Sequence, residues 1–119
     1  MGFLTMTERD HRAELPPVHC ITHDGIITFL SSTLRDASGF APEHFVGRPV
    51  LELAHADDRE ALLRFARPGW EGIIDARFRV QAADGAWIWL RAEGVRTIES
   101  DGHTSAIMTL RQIDPPASG

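Results

Sequence analysis

Residues 74–92 read IDARFRVQAADGAWIWLRA, and their pattern sets the interpretation of the rest of the chain. The even positions from 74 to 82 are apolar, and the odd positions 75–81 are polar, which is the period of a strand with one buried face. Asp84-Gly85 follows, a pair that favours a tight turn. The even positions 88–92 are then apolar again, so the stretch predicts a β-hairpin that packs on a core.

Two further Asp-Gly pairs, Asp24-Gly25 and Asp101-Gly102, also lie between segments with strand character. Asp-Gly is a strong hairpin signal because a type I′ turn needs positive φ at both central residues. Beyond the third turn, Ala106, Met108 and Leu110 continue the apolar face. Three hairpins predict at least five strands.

Between residues 31 and 69 the alternation gives way to helix signals. Gly39 favours the end of a short helix that begins near Ser31. Asp57 and Glu60 have the spacing of a capping box, which predicts the start of a longer helix, and Pro68-Gly69 ends it. Strands, then short helices, then strands predict an α+β fold.

The length of 119 residues accommodates one domain, which we place at residues 17–113. Residues 1–16 form an N-terminal segment in which residues 7–10 resemble a capping box, so either a short helix or a frayed end is expected there. Residues 114–119 contain two prolines and are interpreted as a linker stub.

The composition excludes several classes of protein. A net charge of −5 without a cluster of basic residues argues against binding to nucleic acid backbones. The hydrophobic fraction of 43% excludes a disordered chain, and no apolar run is long enough to insert into a membrane. Cys20 is the single cysteine, so an intrachain disulfide is impossible, and no secretion signal is recognisable. A cytoplasmic location is therefore expected.

Four strings, in their order and spacing, resemble those of the PAS domain family. They are DGIITFLS at 24–31, GFAPEHFVGRP at 39–49, HADDR at 55–59 and ADGAWIWL at 83–90. The chain departs from the family pattern at Ser31, where Asn is common, and at Ala56, where Pro is common. It also has Gln112-Ile113-Asp114 in place of a closing Asp-Ile-Thr.

The resemblance implies a five-stranded antiparallel sheet with short helices and one longer helix on one face, enclosing a small cavity. It also implies a sensory or regulatory module of a signal-transduction protein, which detects a ligand, cofactor, light or redox state, or which mediates dimerisation. Ligand binding would act by a population shift between two packings of helix against sheet.

By alternation and by similarity to the cofactor-holding members of the family, twelve side chains are expected to face the cavity and to bind a small apolar or amphipathic ligand. They are His19, Ile21, Phe29, Leu34, Leu53, Leu62, Phe65, Phe78, Val80, Ile88, Leu90 and Met108. His19 would be the one polar anchor. The alternative is a filled core in a ligand-free interaction or dimerisation module. No catalytic residue is recognisable, and a small isomerase-like enzyme is a distant third hypothesis.

The residues argue against the family's pigments, so the cofactor stays unknown. Flavin-binding light sensors of the family need a cysteine after the Gly-Arg step, and here residues 49–51 are Pro-Val-Leu. Haem-binding members take a histidine from the long helix, and residues 57–67 contain none. Haem ligation by His19 is the remaining possibility.

Metal binding and thiol chemistry are not predicted. His19 and His23 lie on one strand about 13 Å apart at about 3.3 Å per residue, which is too far to share an ion. The other histidines, His11, His44, His55 and His103, fall in separate loops or helix ends, where solvated or capping roles are expected. Cys20 faces away from His19, so the two do not form a Cys-His pair.

The outer face of the last strands carries a second group of apolar residues, Trp87, Trp89, Val95 and Ile107. Apolar side chains in such a position are typical of a covered surface or an interface. Either the N-terminal segment covers them or a second copy does, and we predict a homodimer. An output domain or partner protein outside this chain would receive the signal.

Overall fold

The computed structural model describes residues 16–116, which form an antiparallel sheet beside a layer of short helices. The strands are β1 (Val18–His23), β2 (Ile26–Leu30), β3 (Gly72–Gln81), β4 (Trp87–Ile98) and β5 (Thr104–Ile113). Their order across the sheet is β2-β1-β5-β4-β3. The predicted five-stranded α+β fold is confirmed. The N-terminal segment, for which either a short helix or a frayed end was expected, falls largely on residues 1–15, which lie outside the described part of the chain.

The connection between β2 and β3 carries the helical layer. Its helices are α1 (Leu34–Ser38), α2 (Val50–Leu53) and α3 (Ala56–Leu62), with 3₁₀ turns at Pro42–His44 and Leu63–Phe65. Gly39 ends α1 as predicted, with a φ of 82°. The start of α3 differs from the prediction, because His55 rather than Asp57 caps it: Nδ1 of His55 accepts from the Asp57 N–H at 3.0 Å. Within residues 16–116, no helix is long and apolar enough to cross a membrane.

Only the first of the three Asp-Gly turns has the geometry expected for all of them. Asp24 and Gly25 have φ values of 49° and 81°, as a two-residue type I′ turn requires. In the other two turns the glycines, Gly85 and Gly102, have positive φ but the aspartates do not. The loops there are longer, so the turn does not force the aspartate into the left-handed region.

The even positions of β3, β4 and β5 face the helices and form most of the core, as predicted. The buried side chains there are Ile74, Ala76, Phe78, Leu90, Ala92, Ala106, Met108 and Leu110. Gly94 lies on the same face opposite Met108. An added Cβ at Gly94 would lie 2.1 Å from the carbonyl oxygen of Ile107. The missing side chain therefore lets β4 and β5 approach each other closely.

β1 packs with the opposite phase from the predicted one. Its buried residues are Val18, Cys20 and Thr22. Cys20 pairs with Met108 across β1 and β5, whereas His19 and Ile21 face outward. The inward orientation expected for His19 and Ile21 is therefore wrong. In the string VHCITH, both the odd and the even positions contain apolar residues, so alternation alone does not show which set faces the core. The pairing of β1 with β5 determines it.

β2 contains a register shift that reverses its phase. Ile21 pairs with Phe29 and Thr22 with Ile27, so one residue of β2 between these pairs has no partner on β1. Ile27 and Leu30 are both buried as a result, and Phe29 is 47% exposed. The inward orientation expected for Phe29 is wrong because a strict period of two does not survive this irregularity.

Residues 47–55 contact both edges of the sheet. Along β2, the N–H of Gly47 donates to the carbonyl oxygen of Ile27 at 2.7 Å. Along β3, the N–H of His55 donates to the carbonyl oxygen of Arg79 at 2.8 Å. The helical layer is thus tied to the two outermost strands by main-chain hydrogen bonds.

Candidate functional site

At least two partly open cavities lie between the helical layer and the sheet. The first has a volume of about 440 Å³ and lies between the sheet and the C-terminal end of α3. The second, of about 490 Å³, lies under α1 and the Pro42–His44 turn. Val50 and Phe78 line both cavities and stand between them. Both volumes fall within the range of small-molecule sites, about 300–1,000 Å³.

Nine of the twelve residues expected around the cavity do face the interior. The first cavity is lined by Leu62, Phe65, Phe78 and Met108, and the second by Leu34, Leu53, Phe78, Val80 and Leu90. Ile88 packs against the core beside them. His19, Ile21 and Phe29 lie on the outer face, so their assignment to the cavity is wrong. A ligand-binding role for the other nine stays a prediction.

His19 therefore does not provide the polar anchor. It is exposed, it pairs with Thr109 on the outer face, and its backbone N–H donates to Oγ of Ser31 at 2.8 Å. Its ring cannot reach the interior, which removes His19 as a haem ligand in the cavity. The polar residues that line the first cavity include Thr22, Arg96 and Ser105. Thr22 was missed because the phase of β1 was reversed.

Arg96 brings a positive charge to the first cavity. It occupies an inner-face position on β4, opposite Ala106. Its Nη1 donates to the carbonyl oxygens of Arg67, at 2.9 Å, and Trp70, at 2.5 Å. Arg96 thus fastens the loop after α3 to the sheet and supplies the cation in a mostly apolar wall. The alternation of β4 already placed Arg96 on this face, so the sequence contained the signal.

The polar groups around the second cavity are largely satisfied by local partners. Oγ of Ser38 donates to the carbonyl oxygen of Leu34 at 2.8 Å and accepts from the N–H of Phe40 at 3.1 Å.

Burial raises the pKa of the Cys20 thiol to about 11. A thiol that stays protonated at neutral pH is a poor nucleophile and a poor metal ligand. Cys20 therefore acts as a small core residue.

One ion pair joins the helical layer to the sheet. Nε and Nη2 of Arg79 on β3 donate to the Asp58 carboxylate on α3 at 3.0 and 2.9 Å, and the Arg79 backbone N–H donates to it at 2.8 Å. The Arg79 guanidinium lies 4.9 Å from the centre of the Trp89 ring. Its hydrogen bonds hold the pKa of the Asp58 carboxyl below its usual value. A continuous contact path thus runs from α3 to the outer face.

The four predicted interface residues do not form one cluster. Trp87 lies 4.6 Å from the His55 ring, between ring centres, and lines the second cavity. Trp89 lies beside Arg79, whereas Val95 and Ile107 pair with each other further along the strands. Trp89 and Val95 are six positions apart on β4, which is about 20 Å in a strand. Their role in an interface stays a prediction.

Val95 and Ile107 belong to a larger apolar row that crosses the whole outer face. The row takes one residue from each strand, in the order Ile73, Val95, Ile107, Ile21 and Phe29. Four of them are strongly exposed, with exposed fractions of 79% for Ile73, 43% for Val95, 59% for Ile107 and 47% for Phe29. Such a continuous apolar strip is typical of a surface that another element covers.

Two charged rows lie between this apolar row and Trp89. The basic row contains Arg77, Arg91 and Arg111, which pair across β3, β4 and β5. The acidic row contains Asp75 and Glu93, which pair with each other and lie two residues closer to the apolar row on each strand. Arg91 also bonds Asp75 within the chain, at 3.0 Å from Nε to Oδ1. Along the strand direction, the outer face therefore presents the apolar row, then the acidic row, then the basic row and finally Trp89.

The histidines are less scattered than expected. His55 caps α3, where the capping box had placed Asp57, and His44 stacks on Phe40 with ring centres 4.3 Å apart. His23 and His103, however, are neighbours whose ring centres lie 5.3 Å apart. The pairing of β1 with β5 brings these two residues together from distant positions in the sequence.

Comparisons with known proteins agree with this architecture. The family model described as the PAS fold matches residues 27–110. Drosophila melanogaster Cycle PAS-B is 17% identical, with a TM-score of 0.71, 81% of this chain covered and 99% of that one. A PAS domain of Colwellia psychrerythraea is 18% identical, with a TM-score of 0.67 and coverages of 93% and 97%. The PAS domain of an HTR-like protein from Haloarcula marismortui is 15% identical, with a TM-score of 0.62 and coverages of 95% and 100%.

These structural likenesses concern the fold, whereas the family match covers most of the chain. The resemblance inferred from the four sequence strings is confirmed. PAS domains are typically sensory or regulatory modules rather than catalysts. This chain belongs to the PAS domain family.

Proposed function

We propose that this PAS domain binds a small amphipathic molecule in the first cavity and relays binding to a dimer interface on the outer sheet face. The observation that carries the proposal is the first cavity itself, with a volume of about 440 Å³ and mostly apolar walls. A cavity of that kind with a few polar groups is the usual form of a small-molecule site. The domain has no catalytic role in this proposal, and a cytoplasmic location stays a prediction from the sequence.

The lining of the first cavity indicates the kind of ligand. Phe65, Phe78 and Met108 offer contact to an apolar body, and Arg96 offers hydrogen-bond donors and a positive charge. An apolar molecule with an acidic or hydrogen-bond-accepting group matches both features. Ethylene glycol is bound in the Cycle PAS-B structure, which is compatible with small-molecule binding by a fold of this kind.

The relay would run through α3. Leu62 at the end of this helix lines the first cavity, and Asp58, one turn earlier, bonds Arg79. Arg79 in turn packs on Trp89 of the outer face. A ligand that favours one position of α3 would change the Arg79–Trp89 contact, and so shift the population of dimer states.

A second copy of this chain is the partner that the outer face fits best. We consider a two-fold axis that lies parallel to the sheet, runs perpendicular to the strands and passes between the acidic and basic rows. It would place the acidic row of one copy against the basic row of the other. The same axis would place the apolar row on the Arg79–Trp89 stack. An isologous interface requires this self-complementarity, and it supports a homodimer over an unrelated partner.

Native mass spectrometry of the freshly purified full chain tests ligand binding directly. We expect an adduct of small-molecule mass that is released on denaturation. Ala106→Leu fills the first cavity, and Ala54→Leu adds the same volume to the wall of the second. Only Ala106→Leu should remove the adduct, provided that circular dichroism shows both variants folded.

A protein without any adduct, whose melting temperature no aromatic or fatty acid raises, would contradict the ligand proposal. Saturation at a hundredfold excess over Kd should stabilise a binding protein by about 2.7 kcal/mol. That negative result would favour the alternative of a ligand-free interaction module. The output would in either case lie outside residues 17–113, in another segment or a partner protein.

Light scattering tests the dimer. Wild type should have the mass of two chains, and Ile107→Arg should reduce it to one, because it brings a second cation to the surface that faces the Arg79–Trp89 stack of the other copy. Ala61→Arg, on the exposed side of α3, is the matched control and should leave the mass unchanged. A monomeric wild type would remove the homodimer and leave the outer face to residues 1–15 or to another protein.

A further inference from the structure

Two turns that are far apart in sequence meet at one end of the sheet. Because β1 pairs with β5, the β1–β2 turn lies beside the start of β5. The N–H of Asp24 donates to the carbonyl oxygen of Thr104, and the N–H of Thr104 donates to Oδ1 of Asp24, both at 2.9 Å. The Asp24 carboxylate is thus held in one orientation by the neighbouring hairpin.

The second oxygen of this carboxylate faces two imidazoles. Oδ2 of Asp24 lies 2.6 Å from Nδ1 of His103 and 3.6 Å from Nε2 of His23. His23, Asp24 and His103 each have one side-chain nitrogen or oxygen atom that could bind a metal ion, and these three atoms lie within 4.8 Å of one another. Two imidazole nitrogens and one carboxylate oxygen are the donors that Zn²⁺ and related ions prefer.

A second carboxylate stands behind His23. Oε1 of Glu99 lies 3.9 Å from Nδ1 of His23, the ring nitrogen turned away from Asp24. Oγ of Ser105 donates to the same Glu99 oxygen. A carboxylate that faces the remote nitrogen of a histidine is the usual support of a metal-binding imidazole, because it orients the ring and raises its basicity.

We propose that His23, Asp24 and His103 bind one divalent transition-metal ion, with Zn²⁺ as the best match. At bond lengths of about 2.0–2.2 Å, two ligand atoms of a tetrahedral ion lie about 3.3 Å apart. The distances of 2.6 and 3.6 Å from Oδ2 of Asp24 bracket this separation, and the two imidazole nitrogens lie within 4.8 Å of each other, so small side-chain rotations bring the three ligand atoms to it. The three side chains are about half exposed, which leaves the fourth position to water.

Two imidazoles make Mg²⁺ and Ca²⁺ poor candidates, since both ions prefer oxygen ligands. The ion would link the β1–β2 turn to the β4–β5 turn. Asp24, Thr104 and Ser105 also line the first cavity, so the ion would lie at the rim of that cavity. The site stands independently of ligand binding inside the cavity.

Calorimetric titration of the untagged full chain with ZnCl₂, after removal of metal with EDTA, tests the site. We expect saturable one-to-one binding and a higher melting temperature that EDTA reverses. The hydrogen bond to Asp24 raises the pKa of His103, so the ion competes with a proton, and a mildly alkaline buffer favours binding. Electron paramagnetic resonance of the Cu²⁺ form should show two nitrogen ligands.

His23→Gln and His103→Gln should each abolish or strongly weaken Zn²⁺ binding, and Glu99→Gln should weaken it about tenfold. His44→Gln, which removes an exposed histidine elsewhere, is the matched control and should bind like wild type. Asparagine also tolerates positive φ, so Asp24→Asn should keep the turn and remove only the carboxylate ligand. Weaker Zn²⁺ binding by this variant would therefore reflect the lost ligand and not a lost turn. The proposal is overturned if wild type shows no saturable binding, or if His23→Gln and His103→Gln bind as tightly as wild type.

Discussion

Asp58 and Arg79 form a two-pronged ion pair in which the Asp58 side chain is 12% exposed and the Arg79 side chain 25%. It connects the longest described helix to the edge strand of the sheet. The sheet also contains a similar pair, Asp75 with Arg91, in which the aspartate is 55% exposed. The two pairs differ mainly in their access to water, so they allow a matched comparison.

Asp58→Asn should lower the free energy of unfolding by about 2 kcal/mol, because a hydrogen bond to a charged group contributes about 1.5–3 kcal/mol and the amide oxygen of Asn can still accept part of the contact from Arg79. Asp75→Asn should lower the free energy of unfolding much less, as expected for an exposed pair. Urea denaturation of both variants measures the difference. Equal losses would show that the Asp58–Arg79 pair has no special role in holding α3 to the sheet.

The same pair predicts an acid dependence. The pKa of Asp58 is lower in the folded protein than in the unfolded chain, so the pair stabilises the fold at neutral pH. That stabilisation decreases as the pH falls below about 5 and is lost once Asp58 is protonated in the fold. Between about pH 5 and pH 3 the stability of Asp58→Asn should therefore fall less steeply than that of wild type. The pKa values of Asp24 and Asp75 are also lowered, but they affect both proteins alike. Parallel curves would contradict the prediction.

Gly94→Ala should destabilise the sheet. Alanine in place of glycine usually gains about 0.4–1 kcal/mol through the unfolded chain, but here the Cβ would lie 2.1 Å from a carbonyl oxygen and 2.6 Å from Cα of Met108. Backbone must shift to relieve these contacts, at a cost of about 1–3 kcal/mol. Thermal unfolding should show a net loss, whereas Thr97→Ala on the outer face of the same strand should change little. A Gly94→Ala variant more stable than wild type would show that β4 and β5 separate freely.

Arg96 should select for acidic ligands if the first cavity binds them. Arg96→Gln should weaken the binding of octanoic acid about tenfold or more, since it removes charged hydrogen bonds. Octanol, which has the same chain without the carboxylate, should bind both proteins similarly. Displacement of a fluorescent fatty-acid probe measures both affinities. Equal losses for acid and alcohol would instead indicate that Arg96 acts only by fastening the loop at Trp70.

The strands and the core of β3, β4 and β5 were predictable because the even positions of each carry a run of apolar residues, although β4 also has Trp87, Trp89 and Val95 on its other face. β1 was not, because VHCITH has apolar residues in both phases and its orientation depends on a partner nearly ninety positions away, as in Cys20 with Met108. The register shift in β2 has no signature in the sequence. Three of the expected cavity residues were misplaced for these two reasons.

The site was predictable where it depends on local pattern. Arg96 lies on the inner face that alternation assigns to it. The group around Asp24 was not predictable, because His23 and His103 meet only through the pairing of the first strand with the last. The cap of α3 was misassigned for a different reason: His55 has a ring nitrogen that accepts a hydrogen bond, although histidine is not among the residues usually considered for this position.

The hydrogen bonds from residues 47–55 to β2 and β3 also limit how the protein can assemble. An open sheet edge is a template on which another chain can add a strand, and such growth leads to aggregation. Here Gly47 and His55 occupy main-chain partners on the two opposite edges. The part of β3 beyond them carries Asp75 and Arg77, and charged side chains of this kind discourage strand addition. These features oppose growth of the sheet by edge pairing, so we expect any association to use the broad outer face rather than a sheet edge.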